Sequence, residues 1–244
     1  MLPREATRPV LEALRAQHPG ATTELVFENP FELLVATILS AQTTDRRVNQ
    51  VTPALFRQYP DSCALAAADP AAVEALIKPT GFFRQKARAI VGVARRVTEQ
   101  HEGQIPPDMT ALVQLPGVGR KTANVVLGHA FGVPAFAVDR HVLRVANRLG
   151  LAASPDPDTV EAQVTALLPS GDWTVMSDTL ILHGRRICKP VPLCDRCAVR
   201  RSCTFASGGA VGLARTPRRT APAARPMRAT PRTRRSHVAR RKGR

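Results

Sequence analysis

The chain has 244 residues, with 35 Lys plus Arg against 19 Asp plus Glu and a formal net charge of +16. The charge is uneven: from Thr204 to Arg244 there are 12 basic residues and no acidic ones, which leaves residues 1–203 with 23 basic and 19 acidic groups, a net of +4. No uninterrupted run of about 18 apolar residues occurs, which excludes a hydropathic membrane span. The opening MLPREATRPV lacks the apolar core of a secretory signal, so a cytoplasmic protein is expected. Aromatic residues make up only 4%, which argues against an aromatic platform for single-stranded nucleic acid.

In chain order, Pro9 to Gln17 carries Val10, Leu11 and Leu14 on one helical face, with Thr7 near its start. Pro30 stands at a favourable first helical position ahead of FELLVATILSAQ, apolar enough for a central buried helix. Asp45–Tyr59 repeats the pattern through Val48, Val51, Leu55 and Phe56, with Pro53 inside it. Asp61–Ala68, Ala71–Ile77 and Phe83–Glu102 read as further helices separated by Pro and Gly. Val133–Val138 is the only β-like stretch, and Pro134 argues against a strand there. The sequence therefore predicts an all-α body of about ten helices. After Cys203 the character changes: Ser207-Gly208-Gly209 reads as a joint, and the Arg, Pro, Ala and Thr that follow predict a disordered basic tail. Such a tail is either a non-specific phosphate-binding arm or a solubilising extension.

Leu115-Pro116-Gly117-Val118-Gly119 joins the helical segments Thr110–Gln114 and Arg120–Ala130. Pro116 and the two glycines permit a tight turn with positive φ values. Backbone amides at the start of the second segment would then face a phosphate. Lys121 lies in the first turn of that segment, where a cation opposes the helix dipole and its ammonium form is mildly disfavoured. An amine so placed beside a sugar is a suitable nucleophile for a Schiff base. Asp139 opens Arg140-His141-Val142 as an N-cap, and a carboxylate there can also take an amine proton or stabilise developing positive charge.

Cys188, Cys194, Cys197 and Cys203 are spaced C-x5-C-x2-C-x5-C, whereas Cys63 reads as an inert core thiol. The cluster indicates metal ligation rather than disulfides. A zinc site and a 4Fe–4S cluster both fit, and the single short knuckle leans towards iron–sulfur. Arg185, Arg186, Lys189, Arg196, Arg200 and Arg201 crowd these cysteines against a lone Asp195.

The motif LPGVGRKTANVVL at 115–127, with AVDRHVLRV at 137–145, LILHG at 180–184 and the four cysteines, resembles the endonuclease III family of helix–hairpin–helix DNA glycosylases. The resemblance covers about residues 8–205. It implies two helical lobes: a six-helix barrel over 22–133, and a cluster lobe of 1–21 with 134–205, with 206–244 as the tail. It implies a monomeric bifunctional glycosylase and AP lyase that binds double-stranded DNA containing oxidised pyrimidines or abasic sites. Position by position, Lys121 matches the nucleophile, Asp139 its activating carboxylate, and the four cysteines the 4Fe–4S ligands. Gln42 matches the residue entering the gap left by a flipped base, and Phe82 the intercalating wedge, with one of Phe82 and Phe83 expected in the core. Leu115, Gly117, Val118, Gly119, Arg120, His141 and Lys189 match DNA-contacting positions. The chain departs from the family pattern in a five-residue first cysteine gap, in Arg140 and in Val113. The alternatives are a monofunctional adenine or mismatch glycosylase, which would lack the lysine at 121, and a non-catalytic iron–sulfur DNA-binding protein.

Overall fold

The computed structural model describes residues 4–209. In order they form α1 (Arg4–Gln17), α2 (Pro30–Leu39), α3 (Asp45–Gln58), α4 (Ser62–Ala66), α5 (Pro70–Ile77), α6 (Phe83–Gln100), α7 (Met109–Val113), α8 (Arg120–Ala130), α9 (Arg140–Leu149), α10 (Pro157–Thr165) and α11 (Trp173–Arg186). Short 3-10 turns lie at Lys78–Thr80, Ser170–Asp172, Cys194–Arg196 and Arg200–Ser202, and no strand occurs among the described residues. The residues of the anticipated tail beyond Gly209 lie outside the described residues. Among the described residues no helix is long and apolar enough to cross a membrane.

Side-chain caps set most helix starts. Asn29, Thr44, Asp61, Asp69, Asp108, Asp139 and Asp156 each accept a backbone amide of the turn that follows. Two apolar clusters form behind these helices. The first gathers Leu33, Leu34, Leu39, Leu55, Leu65, Ile77, Ile90, Leu112 and their neighbours from α2 to α8. The second unites Val10, Leu11 and Leu14 of α1 with Phe136, Val142, Leu149, Leu151, Val160, Met176 and Leu180. The first helix thus packs with the last, and α1 meets α11 across most of the chain length.

Two local expectations change. The first helix begins at Arg4 rather than Pro9, with Pro9 inside it; the Val10, Leu11 and Leu14 face holds it despite the missing amide donor. The segment at 133–138 forms no strand, as Pro134 leads one to expect, and its carbonyls are paired by side chains. The carbonyls of Ala135, Phe136 and Ala137 accept hydrogen bonds from Thr174 Oγ1, Asn124 Nδ2 and Ser177 Oγ at 3.1, 3.1 and 2.8 Å. Cys63 is exposed, because Ser62 and Leu65 occupy the inward face of the short α4. Close approach explains one motif glycine: a Cβ at Gly184 would stand 2.8 Å from His141 Cβ, so only glycine lets α11 cross α9 there.

Candidate active site and cysteine centre

A cleft with a cavity volume of about 710 Å³ is lined by Lys121, Asp139, His141, Asp178 and Arg185 and floored by Val125 and His129. Lys121, Val125 and His129 recur at four-residue spacing along α8, so they share one face of that helix. The two helix starts beside the cleft differ. Asp139 Oδ1 accepts the amides of His141 at 2.6 Å and Val142 at 2.8 Å, which fixes the carboxylate and caps α9. The start of α8 has no side-chain cap, since Gly119 is its N-cap residue. Its first amides therefore remain unpaired by any side chain and face outward, as anion binding requires.

Of the two turn glycines only the first takes a positive φ. Gly117 takes φ of 74°, and a Cβ on it would also meet Ala89 Cβ at 3.3 Å. Gly119 departs from the expected positive φ, because it is extended at −96°, and a Cβ there would meet nothing within 4 Å. Its conformation does not require glycine; the missing side chain leaves the helix end open. The side chains of Leu115 and Val118 are buried in the first core, so this turn can offer an anion only its backbone.

Arg120 and Lys121, adjacent in sequence, behave oppositely. The Arg120 guanidinium makes a two-point contact with Glu161, at 2.6 and 2.8 Å, with Asp158 3.8 Å away. Asn124 joins the same carboxylate at 3.0 Å. Lys121 is exposed and has no polar partner among the described residues. His141 is half-buried between two guanidiniums, with Arg144 Nη2 at 3.1 Å and Arg140 Nε at 3.4 Å. Burial first, then the nearby arginines, push its pKa down against the opposing pull of Asp139. Gln42 and Phe82 stand exposed on neighbouring loops, whereas Phe83 packs against the first core.

The cleft also holds groups that the sequence pattern does not single out. His129 Nε2 and Asp178 Oδ2 are 3.3 Å apart and largely buried. Arg185 donates to Glu24 at 2.6 Å and to Asp45 at 2.8 Å. These pairings join residues more than 45 positions apart, and no local spacing announces them.

Cys188, Cys194, Cys197 and Cys203 surround one small cavity walled by Leu149, Ile187, Pro192 and Phe205. All four are free thiols. Burial pushes the Cys197 thiol up, and the nearness of Cys203, Cys188 and Cys194 adds to it. Four thiols gathered round one small apolar-walled cavity, with no disulfide among them, are a donor set that fits a metal group. No three or more His, Cys, Asp or Glu among the described residues are grouped to hold a single metal ion.

The arginines that hold this loop come mainly from α9. Arg148 donates to the Lys189 and Pro190 carbonyls at 2.6 and 2.9 Å, to Cys188 Sγ at 3.5 Å, and lies 4.6 Å from the centre of the Phe205 ring. Arg144 donates to the Cys188 and Gly184 carbonyls at 3.0 and 2.9 Å. The signal was available in the four-residue spacing of Arg140, Arg144 and Arg148. Among the flanking arginines, Arg200 pairs with Asp195 and Arg185 turns to the cleft; Lys189 has an exposed side chain. His183, buried beside His18 at 3.1 Å, is held down to about 4 by burial and then by that neighbour, and its Nε2 lies 3.6 Å from Cys197 Sγ.

Comparison with known proteins places this arrangement. The profile of the HhH-GPD superfamily of base excision DNA repair proteins matches residues 35–170, so the fold and cleft are those of a helix–hairpin–helix base-excision protein. Endonuclease III of Synechocystis sp. is 48% identical over 205 residues, covering 83% of this chain and 94% of that protein. Endonuclease III of Escherichia coli is 42% identical over 197 residues, covering 80% and 93%. A solved structure of a trapped endonuclease III–DNA covalent intermediate superimposes with a TM-score of 0.81 at 40% identity, over 85% of this chain and 99% of that one. The chain belongs to the endonuclease III family. It is a DNA glycosylase and AP lyase, and DNA is its partner.

Proposed function

We propose that this protein excises oxidised pyrimidines from duplex DNA in the cytoplasm as a monomer, with Lys121 as nucleophile and Asp139 as its activating carboxylate. The observation that carries the reading is that Lys121 and Asp139, eighteen positions apart, line one cleft from the starts of two different helices. Its support includes the likeness to a trapped covalent endonuclease III–DNA intermediate.

The damaged base leaves the stack and enters the cleft, while Gln42 and Phe82 occupy the duplex behind it. Phosphate sits on the free amides at the start of α8, with Gly117 and Gly119 shaping the approach and the backbone at Leu115 and Val118 completing it. Arg120, His141 and Lys189 contribute positive or polar surface along the bound strand. Asp139 accepts the proton of the Lys121 ammonium, and the free amine attacks the sugar C1′ as the base departs. The resulting imine acidifies the adjacent carbon, and β-elimination cuts the strand 3′ of the lesion.

In this reading the barrel spans residues 22–133, with 1–21 and 134–205 as the second lobe and 206–244 as a tail; the separate apolar clusters around Leu33, Leu55 and Ile90 and around Leu11, Val142 and Leu180 support the division into lobes. Cys188, Cys194, Cys197 and Cys203 hold a 4Fe–4S cluster in that lobe. The group supplies rigidity and a charge of about −2 to a loop too small to have a core of its own. Arg144 and Arg148 clamp the loop from α9. Zinc is the alternative occupant; it is colourless, so visible absorbance of the purified protein separates the two.

Borohydride trapping tests the chemistry. The wild-type protein should form a covalent adduct with a thymine-glycol duplex, and Lys121→Gln should lose both adduct and nicking by about 10³-fold or more. A Lys121→Gln protein that nicks like the wild type overturns the Schiff base, and a wild type that never forms the adduct is a monofunctional enzyme.

A further inference from the structure

Lys86, in the first turn of α6, is 5% exposed. Its ammonium donates to the Leu39 carbonyl at 2.7 Å, to Thr43 Oγ1 at 2.7 Å and to the Thr80 carbonyl at 2.9 Å. An ammonium has three donors, and all three are used. No carboxylate is among its partners. Leu39 ends α2 and Thr80 ends the 3-10 turn Lys78–Thr80, so both carbonyls lie at helix C-termini, where unpaired carbonyls concentrate negative charge. Thr43 Oγ1 also donates to the Thr80 carbonyl, which closes a ring of three groups around one buried cation.

The two segments so tied carry the side chains assigned to the duplex interior. Gln42 lies one residue before Thr43, and Phe82 two residues after Thr80. Both are non-glycine residues in left-handed backbone, with φ of 55° and 47°, and such conformations persist only when their surroundings determine them. Phe82 is 64% exposed, so no packing of its own ring holds it in place. Gln42, Phe82 and Lys86 line one cavity, together with Gly117 and Thr122 beside the hairpin turn. Burial pushes the Lys86 ammonium below the usual lysine range. A buried cation without a counter-charge costs more stability than an apolar residue of its size, and that cost secures the relative placement of two loops.

We propose that Lys86 is a positioning residue that locks the Gln42 and Phe82 loops into one preset unit, so that both side chains enter the duplex together when the damaged base leaves. The inference rests on the roles given above to Gln42 and Phe82. It places the function of Lys86 in opening paired DNA, not in bond breaking at the sugar.

The test compares two substrates in single turnover. One is a duplex with thymine glycol opposite adenine; the other is an abasic site in an unpaired bubble, where there is no base to flip and no stack to open. Lys86→Met removes the ammonium and keeps the stem, and Thr43→Val removes the bridging hydroxyl while leaving Lys86. Both should cut the paired lesion at least tenfold more slowly, yet cleave the bubble site within twofold of wild type. The rise in fluorescence of 2-aminopurine beside the lesion, which reports unstacking, should be lost in parallel. Equal loss on both substrates, or no loss on the paired one, overturns the proposal. If Lys86→Met lacks the wild-type circular dichroism, Thr43→Val decides alone by the same criteria. Failure of the underlying reading looks different: Gln42→Ala and Phe82→Ala would then process the paired lesion like the wild type.

Discussion

The starts of α8 and α9 are the same physical object put to opposite uses. Each presents unpaired amides and the positive end of a helix dipole to one side of a cleft. At α9 the protein supplies its own anion, since Asp139 accepts two amides and becomes immobile. At α8 it supplies none, and Gly119 keeps the approach clear. The lesson is that a helix N-terminus is a reagent whose use is decided by one residue. A carboxylate there gives a fixed internal charge; a glycine gives a vacancy for an external one.

That contrast can be broken from either side, and the larger effect lies at α9. Asn is as good an N-cap as Asp, so Asp139→Asn should leave stability within about 0.5 kcal/mol of wild type while lowering turnover by ~10²-fold or more. Thermal unfolding and single-turnover nicking on the same preparations separate the two roles. Equal nicking by Asp139→Asn would reduce the residue to a cap.

At α8 the two glycines should part company. Gly119→Ala meets no protein atom, so its stability should hold while affinity for undamaged duplex falls about tenfold, equivalent to about 1.4 kcal/mol. Gly117→Ala forces alanine into φ of 74° against Ala89, and should cost about 1–2 kcal/mol of stability. Binding titrations and denaturant midpoints check both; a Gly119→Ala protein that binds DNA normally would show that phosphate does not reach this end.

The smallest effect on chemistry is expected from the basic tail. Deleting residues 207–244 removes the 12 basic residues beyond Thr204. It should flatten the salt dependence of non-specific binding while single-turnover nicking of saturated lesion substrate persists. Loss of that nicking would make the tail part of the active machinery.

The sequence made some of this legible and concealed the rest for a physical reason. The helices were readable because apolar residues recur with the helical period, as in Val48, Val51 and Leu55, and Asp139 was readable because capping is local. Arg120 reads as a DNA contact beside Lys121, and nothing near it in the chain announces that it also binds Glu161, 41 positions away. Lys86 carries no local signal, since its three acceptors come from α2, the loop after it and the 78–80 turn. Arg148 likewise finds its carbonyls on a different loop. Period and capping are properties of neighbours in the chain, whereas satisfaction of a buried or half-buried cation depends on distant segments.

Gln17 donates to the Arg196 carbonyl at 2.7 Å and accepts from the Ala198 amide at 3.2 Å, contacts spanning 179 and 181 positions. During synthesis, therefore, the first helix leaves the ribosome long before its seat exists. At about 5–20 residues per second the delay is on the order of 10–40 s, during which Val10, Leu11 and Leu14 have no lobe to bury them. Helices α2 to α8 emerge in the meantime and can condense on one another. The amino-terminal helix can therefore complete its docking only after residues 196–198 have been made.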